Sequence, residues 1–518
     1  MKAKQKKEIF LSRLFLHLDG IAIIPTVLAL ENQKIISEFK NCSLSEISQQ
    51  NNANEAYLNV ALRLLCSQGI LEQNISDDGE IYFNKKNNDN IQKRIDTYNL
   101  VAGVYEESID YSILHKSHNI TNTALFQITN NFIKKYQKTK ERDIFYYHIE
   151  GAILSPIIVE LALKGYFDNI TNTITNFKQL HPLVRQLIEN LFICTQILDH
   201  NKTITDYGKF ILNRSTSYGV TVSYLPTFQN IKNLIFGNYK LLWTTSGDTE
   251  KHVDRGMNVW GSGGAHNTYF KKIDKIIIDV FNRPIQEQPQ GFIDVGCGNG
   301  KFIEHVFNVI CKKTQRGKQL NQYPLTIIGC DYNHKAIEIT QKNLHKVNIK
   351  VKTIIGDISE PNLLAKKIQK KYQVNLEDLL NMRSFLDHNR IYYTPKNEIT
   401  QKIKSSGAFC KKGQRITNNA LQQNFKEHLE KWAPYLKKYG LLIVELHTMN
   451  PKEAANNIGK IAMTAYDASH GFSDQYILEY DVFLELASDV GLRPDPMHEY
   501  KLPSNELTIV SINRLVKK

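Results

Sequence analysis

Five side chains in the last third of the chain could carry acid–base or metal chemistry: Asp387, His388, His447, His470 and Gln475. An imidazole changes charge near neutral pH and can take a proton from a substrate. A mixed set of imidazole, carboxylate and amide donors also suits Fe(II) or Mn(II) with open positions, whereas zinc more often recruits thiolates. Such a metal would chelate a 1,3-dicarbonyl compound and stabilise its enolate as a Lewis acid. The same residues equally describe unconnected histidines, each bonded locally or acting as a general base, and spacing leaves both readings open. Upstream, the apolar residues Phe292, Ile293 and Val295 run into Gly296, Gly298 and Gly300, with Asp294 just ahead of the turn. Glycines belong where the backbone turns tightly and approaches a ligand closely. The spacing G-x-G-x-G is not the G-x-G-x-x-G of nicotinamide and flavin enzymes.

That turn resembles the first motif of the class I S-adenosylmethionine (SAM) methyltransferases. The resemblance extends downstream in the expected order. Asp331, followed by Tyr332, closes a second apolar run and is placed to meet the ribose hydroxyls. Asp357 and Ile358 close a third, where the acid can meet the adenine amino group and the Ile can pack on its ring. Gly261 and Gly263 lie in a polar block, 252–270, with two histidines and a Trp. This block reads either as a segment closing over the cofactor or as a turn before a helix at 269–281.

The elements that must position these groups alternate between strand and helix from about residue 286 onward. Strands are expected at 292–295, 325–330, 350–355, 381–386, 441–446 and 507–513, with a polar loop inserted at 312–323. Alternation of this kind gives a parallel sheet with helices on both faces and ligands at the carboxyl ends of the strands.

The front of the chain carries an internal repeat. His17, Asp19, Gly20 and Pro25 recur at the same offsets as His148, Glu150, Gly151 and Pro156. A helix at 57–68 and a hairpin turning at Asp77, Asp78 and Gly79 follow the first copy. A helix at 183–195, a strand at 197–198 and a return strand at 204–211 follow the second. Both read as winged-helix-like units, about 8–90 and 140–215. The fold class is thus a Rossmann-like α/β domain (286–518) behind a mainly helical front, divided as 1–135, 136–215 and a connecting segment, 216–285. The two candidate recognition helices offer only Arg63 and Arg185 as basic residues. That favours dimerisation or substrate covering, with a possible homodimer, over DNA reading.

With 518 residues the chain is too long for one core, and at ~150 residues per domain about three are expected. The net charge of +13 suits nucleic acid, anionic membrane or an acidic protein without choosing among them. Seven cysteines, none spaced C-x-x-C, argue against a disulfide framework or zinc ribbon. The basic start and the apolar run 21–30 imitate a signal peptide, but Arg13, His17 and Asp19 interrupt it and it is too short to span a membrane. A cytoplasmic protein without membrane attachment is expected.

The blocks at 384–390, 407–413, 432–435, 444–447 and 465–476, with 252–270, are similar to the metal-dependent C-methyltransferase domains of polyketide synthase loading modules, of the apratoxin and saxitoxin type. The resemblance covers most of 215–518. It implies methylation of the α-carbon of a malonyl group on an acyl carrier protein, with SAM and an iron or manganese centre. It also implies Asp387, His470 and Gln475 as ligands, and His388 or His447 as ligand or base. No carrier or decarboxylase domain accompanies the domain here. The alternatives are a metal-free O- or C-methyltransferase for a free small molecule and a winged-helix DNA-binding regulator.

Overall fold

The computed structural model describes all residues except 1–2, 87–89, 108, 117–119, 140, 169, 172, 244–249, 398 and 400–401. The chain forms two compact units. The first comprises Met1–Ala265, Cys410–Arg415 and Asn450–Asp474, and the second His266–Phe409, Ile416–Met449 and Gln475–Lys518.

In the first unit the repeat becomes a pair of long helices, Ala3–Glu31 and Ile144–Leu163. They cross at their equivalent glycines. A Cβ on Gly20 would lie 2.4 Å from the carbonyl oxygen of His148, and one on Gly151 would lie 2.4 Å from the Cα of His17. The repeated histidines are bonded in parallel fashion: His17 Nδ1 to the Tyr218 hydroxyl at 2.7 Å and His148 Nδ1 to the Tyr98 hydroxyl at 2.5 Å. The repeated acids are both buried, Glu150 against the Arg13 guanidinium and Asp19 accepting from the Ala465 amide at 3.1 Å. Burial pushes the Asp19 carboxyl well above its ordinary range. Both helices are long and apolar enough to cross a membrane by composition, and both are mostly buried within the unit. The apolar run 21–30 is therefore core.

The first winged unit forms as expected. Strands β1 (Cys42–Ser43), β2 (Leu71–Ile75) and β3 (Ile81–Lys85) make an antiparallel sheet ordered β1-β3-β2. Ser43 and Glu46 form a capping box that starts the helix Leu44–Gln50. The helix Glu55–Ser67 is buried from Ala56 to its end, and Arg63 is committed to Asp467 at 3.0 Å. Its one basic residue is thus an internal ion-pair partner.

Two expectations for this unit are corrected. The wing expected after the second copy reduces to a bridge between Leu198 and Ile204, and the helix Asp206–Leu212 stands where a return strand was expected. Thr205 accepts from the Gly208 amide at 2.9 Å, so a helix N-cap prevails over strand pairing. The block 252–270 lies almost wholly in one helix, Arg255–Phe281, with no glycine loop. Its glycines let the helix approach Thr216–Ser223: a Cβ on Gly261 would sit 2.6 Å from the Val220 nitrogen, and one on Gly264 2.1 Å from Thr216 Oγ1.

The second unit is built on a seven-stranded sheet. Its strands are β4 (Gly291–Val295), β5 (Thr326–Asp331), β6 (Lys352–Ile355) and β7 (Leu379–Ser384), then β10 (Leu441–Leu446), β11 (Leu492–Pro503) and β12 (Thr508–Lys517). The strands β8 (Phe409–Lys411) and β9 (Gln414–Ile416) form a separate pair. The order is β11-β12-β10-β7-β4-β5-β6, with β12 antiparallel to both neighbours and the five strands from β10 to β6 parallel. The chain order reverses at β4 and β7, which is where a ligand crevice opens in such sheets. All six expected strands are present. The strand β11 was not expected, because Pro494, Pro496 and Pro503 speak against a strand; it lies at the sheet edge with a bulge between Pro494 and Glu499, where proline is tolerated. The insertion at 312–323 contains a short helix, Gln315–Lys318, organised by Arg316, which donates to the carbonyls of Tyr323 and Pro324 at 2.9 and 3.1 Å.

The glycine crossing is testable, since Gly→Ala inside a helix normally gains about 0.5–1 kcal/mol. Gly151→Ala is expected to reverse that sign, losing about 1–3 kcal/mol from overpacking. Gly263→Ala, which meets nothing within 4 Å, should show the ordinary gain in thermal unfolding.

Candidate active site

The glycine turn follows β4 at the switch point. Gly296, Gly298 and Gly300 have φ of 83°, 53° and 80°, a region that L side chains rarely adopt. A Cβ on Gly296 would press on Leu386 at 2.9 Å, and one on Gly300 would approach Leu344 at 3.2 Å. A Cβ on Gly298 would meet nothing closer than 4.0 Å. The turn is therefore packed at both ends and open in the middle, a cradle that a side chain would fill. Its shape is held by the amides of Gly296 and Cys297, both donating to the Cys330 carbonyl at 2.8 and 3.0 Å.

Asp331 at the end of β5 accepts from the Gly298 amide at 3.1 Å and from the Asn333 amide at 3.0 Å, which fixes the carboxylate beside the open glycine. Tyr332 is exposed at 69%. Asp357 follows β6 and accepts from the Ser359 amide at 2.8 Å, and Ile358 is buried. Asp294 is buried in β4; burial, and then the Asp331 charge, push its carboxyl well above the ordinary range. The open cradle and the two strand-end acids fit a nucleoside cofactor. Gly261 and Gly263 belong to the helix described above, and Gly261 is accounted for by its contact with Gly219.

A second cluster lies at the carboxyl ends of β7 and β10. Phe385 takes a left-handed φ of 55° and its amide donates to the Val444 carbonyl at 2.8 Å. The chain then turns through Asp387–Asn389. Glu445 on β10 holds this turn, accepting from the Asp387 amide at 2.9 Å, the Leu446 amide at 2.8 Å and His388 Nδ1. The Tyr476 amide donates to the His388 carbonyl at 2.7 Å. Beside it, Asp387 Oδ1 accepts from Arg383 Nη1 at 2.6 Å and from His428 Nε2 at 3.0 Å. Burial opposes the Asp387 charge, but Arg383 and His428 outweigh it and hold the carboxyl below its ordinary range. Burial brings the pKa of His428 down to about 4. The Arg383 guanidinium lies 4.0 Å from the centre of the Trp432 ring, whose Nε1 donates to the Ile358 carbonyl at 2.8 Å. One chain of contacts thus runs from the end of β6 to Asp387.

Arg383, His428 and Glu445 were missed at the sequence level. The available signal was Glu445 itself, the one acid in the otherwise apolar and fully buried run of β10. Two of the expected roles are corrected. His447 is buried with both ring nitrogens engaged, by the Leu478 carbonyl at 3.1 Å and Ser511 Oγ at 2.8 Å, and burial brings its pKa down to about 3. It is a structural imidazole and is not placed to act as a base. The metal set does not fit either. Asp387 spends Oδ1 on Arg383 and His428, and His388 turns Nδ1 to Glu445. His470 belongs to the first unit, with Nδ1 on the Tyr466 carbonyl at 2.7 Å, while Gln475 belongs to the second. Among the described residues no group of three or more His, Cys, Asp or Glu is arranged to hold a metal ion.

Residues 250–513 match the family model of the AprA MT2-like domain. The chain belongs to that family. The AprA-type resemblance continues forward, with 10–73 matching the AprA N-terminal domain and 150–238 the AprA winged helix domain. No curated protein sequence matches. Solved structures similar to this chain include the citrinin polyketide synthase CMeT domain, at 11% identity over 78% of this chain and 97% of that one, with a TM-score of 0.37. Human N-acetylserotonin methyltransferase in complex with SAM is similar at 10% identity over 77% and 99%, with a TM-score of 0.36. An O-methyltransferase family 2 protein from Planctomyces limnophilus in complex with apigenin is similar at 12% over 97% and 96%, with a TM-score of 0.38. This AprA MT2-like protein is a SAM-dependent methyltransferase.

Removing one partner of a fully buried ion pair strands a charge, at a cost of about 3–5 kcal/mol. Arg383→Met is expected to lose stability on that scale in urea unfolding. Arg383→Met combined with Asp387→Asn should lose clearly less than the sum of the single changes.

Proposed function

We propose that this methyltransferase methylates the α-carbon of a malonyl-type thioester carried on an acyl carrier protein. The observation that carries the reading is the buried His388–Glu445 pair at the strand ends next to the glycine turn. With Nδ1–H donated to Glu445, a neutral His388 keeps its basic lone pair on Nε2. That nitrogen takes the α-proton, and Glu445 holds the ring in place and stabilises the imidazolium that forms. SAM, when bound, supplies an electrophilic methyl group. The electron pair left on the α-carbon forms the new carbon–carbon bond to it. The glycine turn would seat the amino-acid end of the cofactor, Asp331 with Tyr332 the ribose, and Asp357 with Ile358 the adenine. Asp387, locked between Arg383 and His428, fixes the turn that presents His388.

The α-proton of a malonyl unit lies between two carbonyl groups, so a positioned imidazole is a base of suitable strength. Positioning is the larger contribution, because carbon and methyl must be held ~3–3.5 Å apart in line. Carrier proteins are typically acidic, which suits the net charge of +13.

On malonyl-loaded carrier protein, wild type is expected to give a one-methyl mass gain. His388→Ala should lower the rate by about 10²–10⁴-fold with SAM affinity unchanged. Full activity of that variant, or turnover of a free hydroxyl compound with none on the thioester, would overturn the reading. Asp331→Ala is expected to weaken SAM binding by roughly 10–100-fold in calorimetry, the scale of a charged hydrogen bond. The iron or manganese implied by the resemblance is tested separately. Restoration of a chelator-abolished rate by Fe(II) or Mn(II) would give a metal a role that the mechanism above does not use.

A further inference from the structure

The β6 edge of the sheet carries an uncompensated positive face. Lys335, Lys342 and Lys346 lie on the helix His334–Lys346, Lys350 precedes β6, and Lys366 and Lys370 lie on the helix Pro361–Tyr372. All six are exposed, and among the described residues none takes part in an ion pair. Elsewhere in the same unit exposed lysines do find carboxylates, as Lys313 does with Asp274 and Lys438 with Asp378, both at 2.6 Å. Two further lysines close the edge strand. Lys367 donates to the Ile355 carbonyl and Lys371 to the Thr353 carbonyl, both at 3.2 Å, and the Tyr372 hydroxyl also reaches Thr353. Lys352 lies over the Tyr372 ring at 5.3 Å. A second strand therefore finds part of this edge already bonded, and what the edge offers a partner is charge.

We infer that this face docks the acidic carrier protein, an inference that rests on the function proposed above. Like charges held together without counter-charges repel one another, and an acidic surface relieves that repulsion while steering encounter. The face flanks the mouth where the cofactor acids lie. Asp331 ends β5 just before the first lysine helix, and Asp357 and Ile358 follow β6 just before the second. A carrier seated there has its acyl arm beside the strand ends. The chemistry of the face favours a protein over a nucleic acid: no arginine occurs between Arg316 and Arg383, so the planar forks that grip phosphates are missing from this region.

The experiment replaces four lysines that make no backbone contact, Lys342, Lys346, Lys366 and Lys370, with glutamate in the full-length chain. Initial rates are compared on malonyl-loaded carrier protein and on a soluble malonyl pantetheine thioester. The expected result is at least a tenfold loss of kcat/KM on the carrier at low salt, a smaller loss at high salt, and an unchanged rate on the soluble thioester. An unchanged rate on the carrier would overturn the docking face while leaving the proposed reaction standing. Failure of wild type on both substrates would overturn the reaction and this inference with it. If the variant instead lost retention of duplex DNA while its carrier kinetics stayed intact, the face would be a nucleic-acid surface and the inference would fall.

Discussion

A carboxylate inside a fully buried strand must have its hydrogen bonds met by protein, and the candidate site is arranged around that requirement. Glu445 cannot reach water from the middle of the sheet. Its acceptor capacity is met by two backbone amides and the ring of His388. Meeting that demand fixes where the turn after β7 goes, and with it the direction of the imidazole. The neighbouring Asp387 cluster solves a similar problem with Arg383 and His428. Burial of polar groups thus supplies the precision that a proton-transfer site needs. Replacing either carboxylate by an apolar residue would remove the requirement and the reason for the turn together.

The first unit uses the same currency differently. Its repeated motif reads as chemistry in the sequence, with a histidine, an acid and a glycine in each copy. In the structure each glycine admits the backbone of the other helix, and each histidine is tied to a tyrosine. The repeat is a self-complementary crossing. Its polar residues are those a close helix pair must satisfy where no side chain can fill the gap.

Much of the second unit was legible in the sequence because its signals are local. Apolar runs of strand length, glycines in a turn and acids at run ends each report on a few consecutive residues. The order Gly296, Asp331, Asp357 located the cofactor end of the sheet before any coordinates. What failed to show were relations between residues distant in the chain. His447 and His388 look alike in sequence, and only Ser511 and Leu478 against one and Glu445 against the other distinguish them. The glycines of 252–270 suggested a loop because composition cannot reveal that Gly219 and Thr216 pack against them. The strand β11 was hidden by prolines that an edge position tolerates.

That prolyl edge has a further meaning once the opposite edge is considered. On one flank of the sheet the prolines of β11 remove amide donors and a bulge breaks the register; on the other, lysine stems lie across the carbonyls of β6. The sheet is thus finished at both ends by chemistry that discourages another strand. A protein that must meet a mobile, highly charged partner again and again gains from such edges, because crowding then leads to reversible encounters and not to a growing ribbon of sheets.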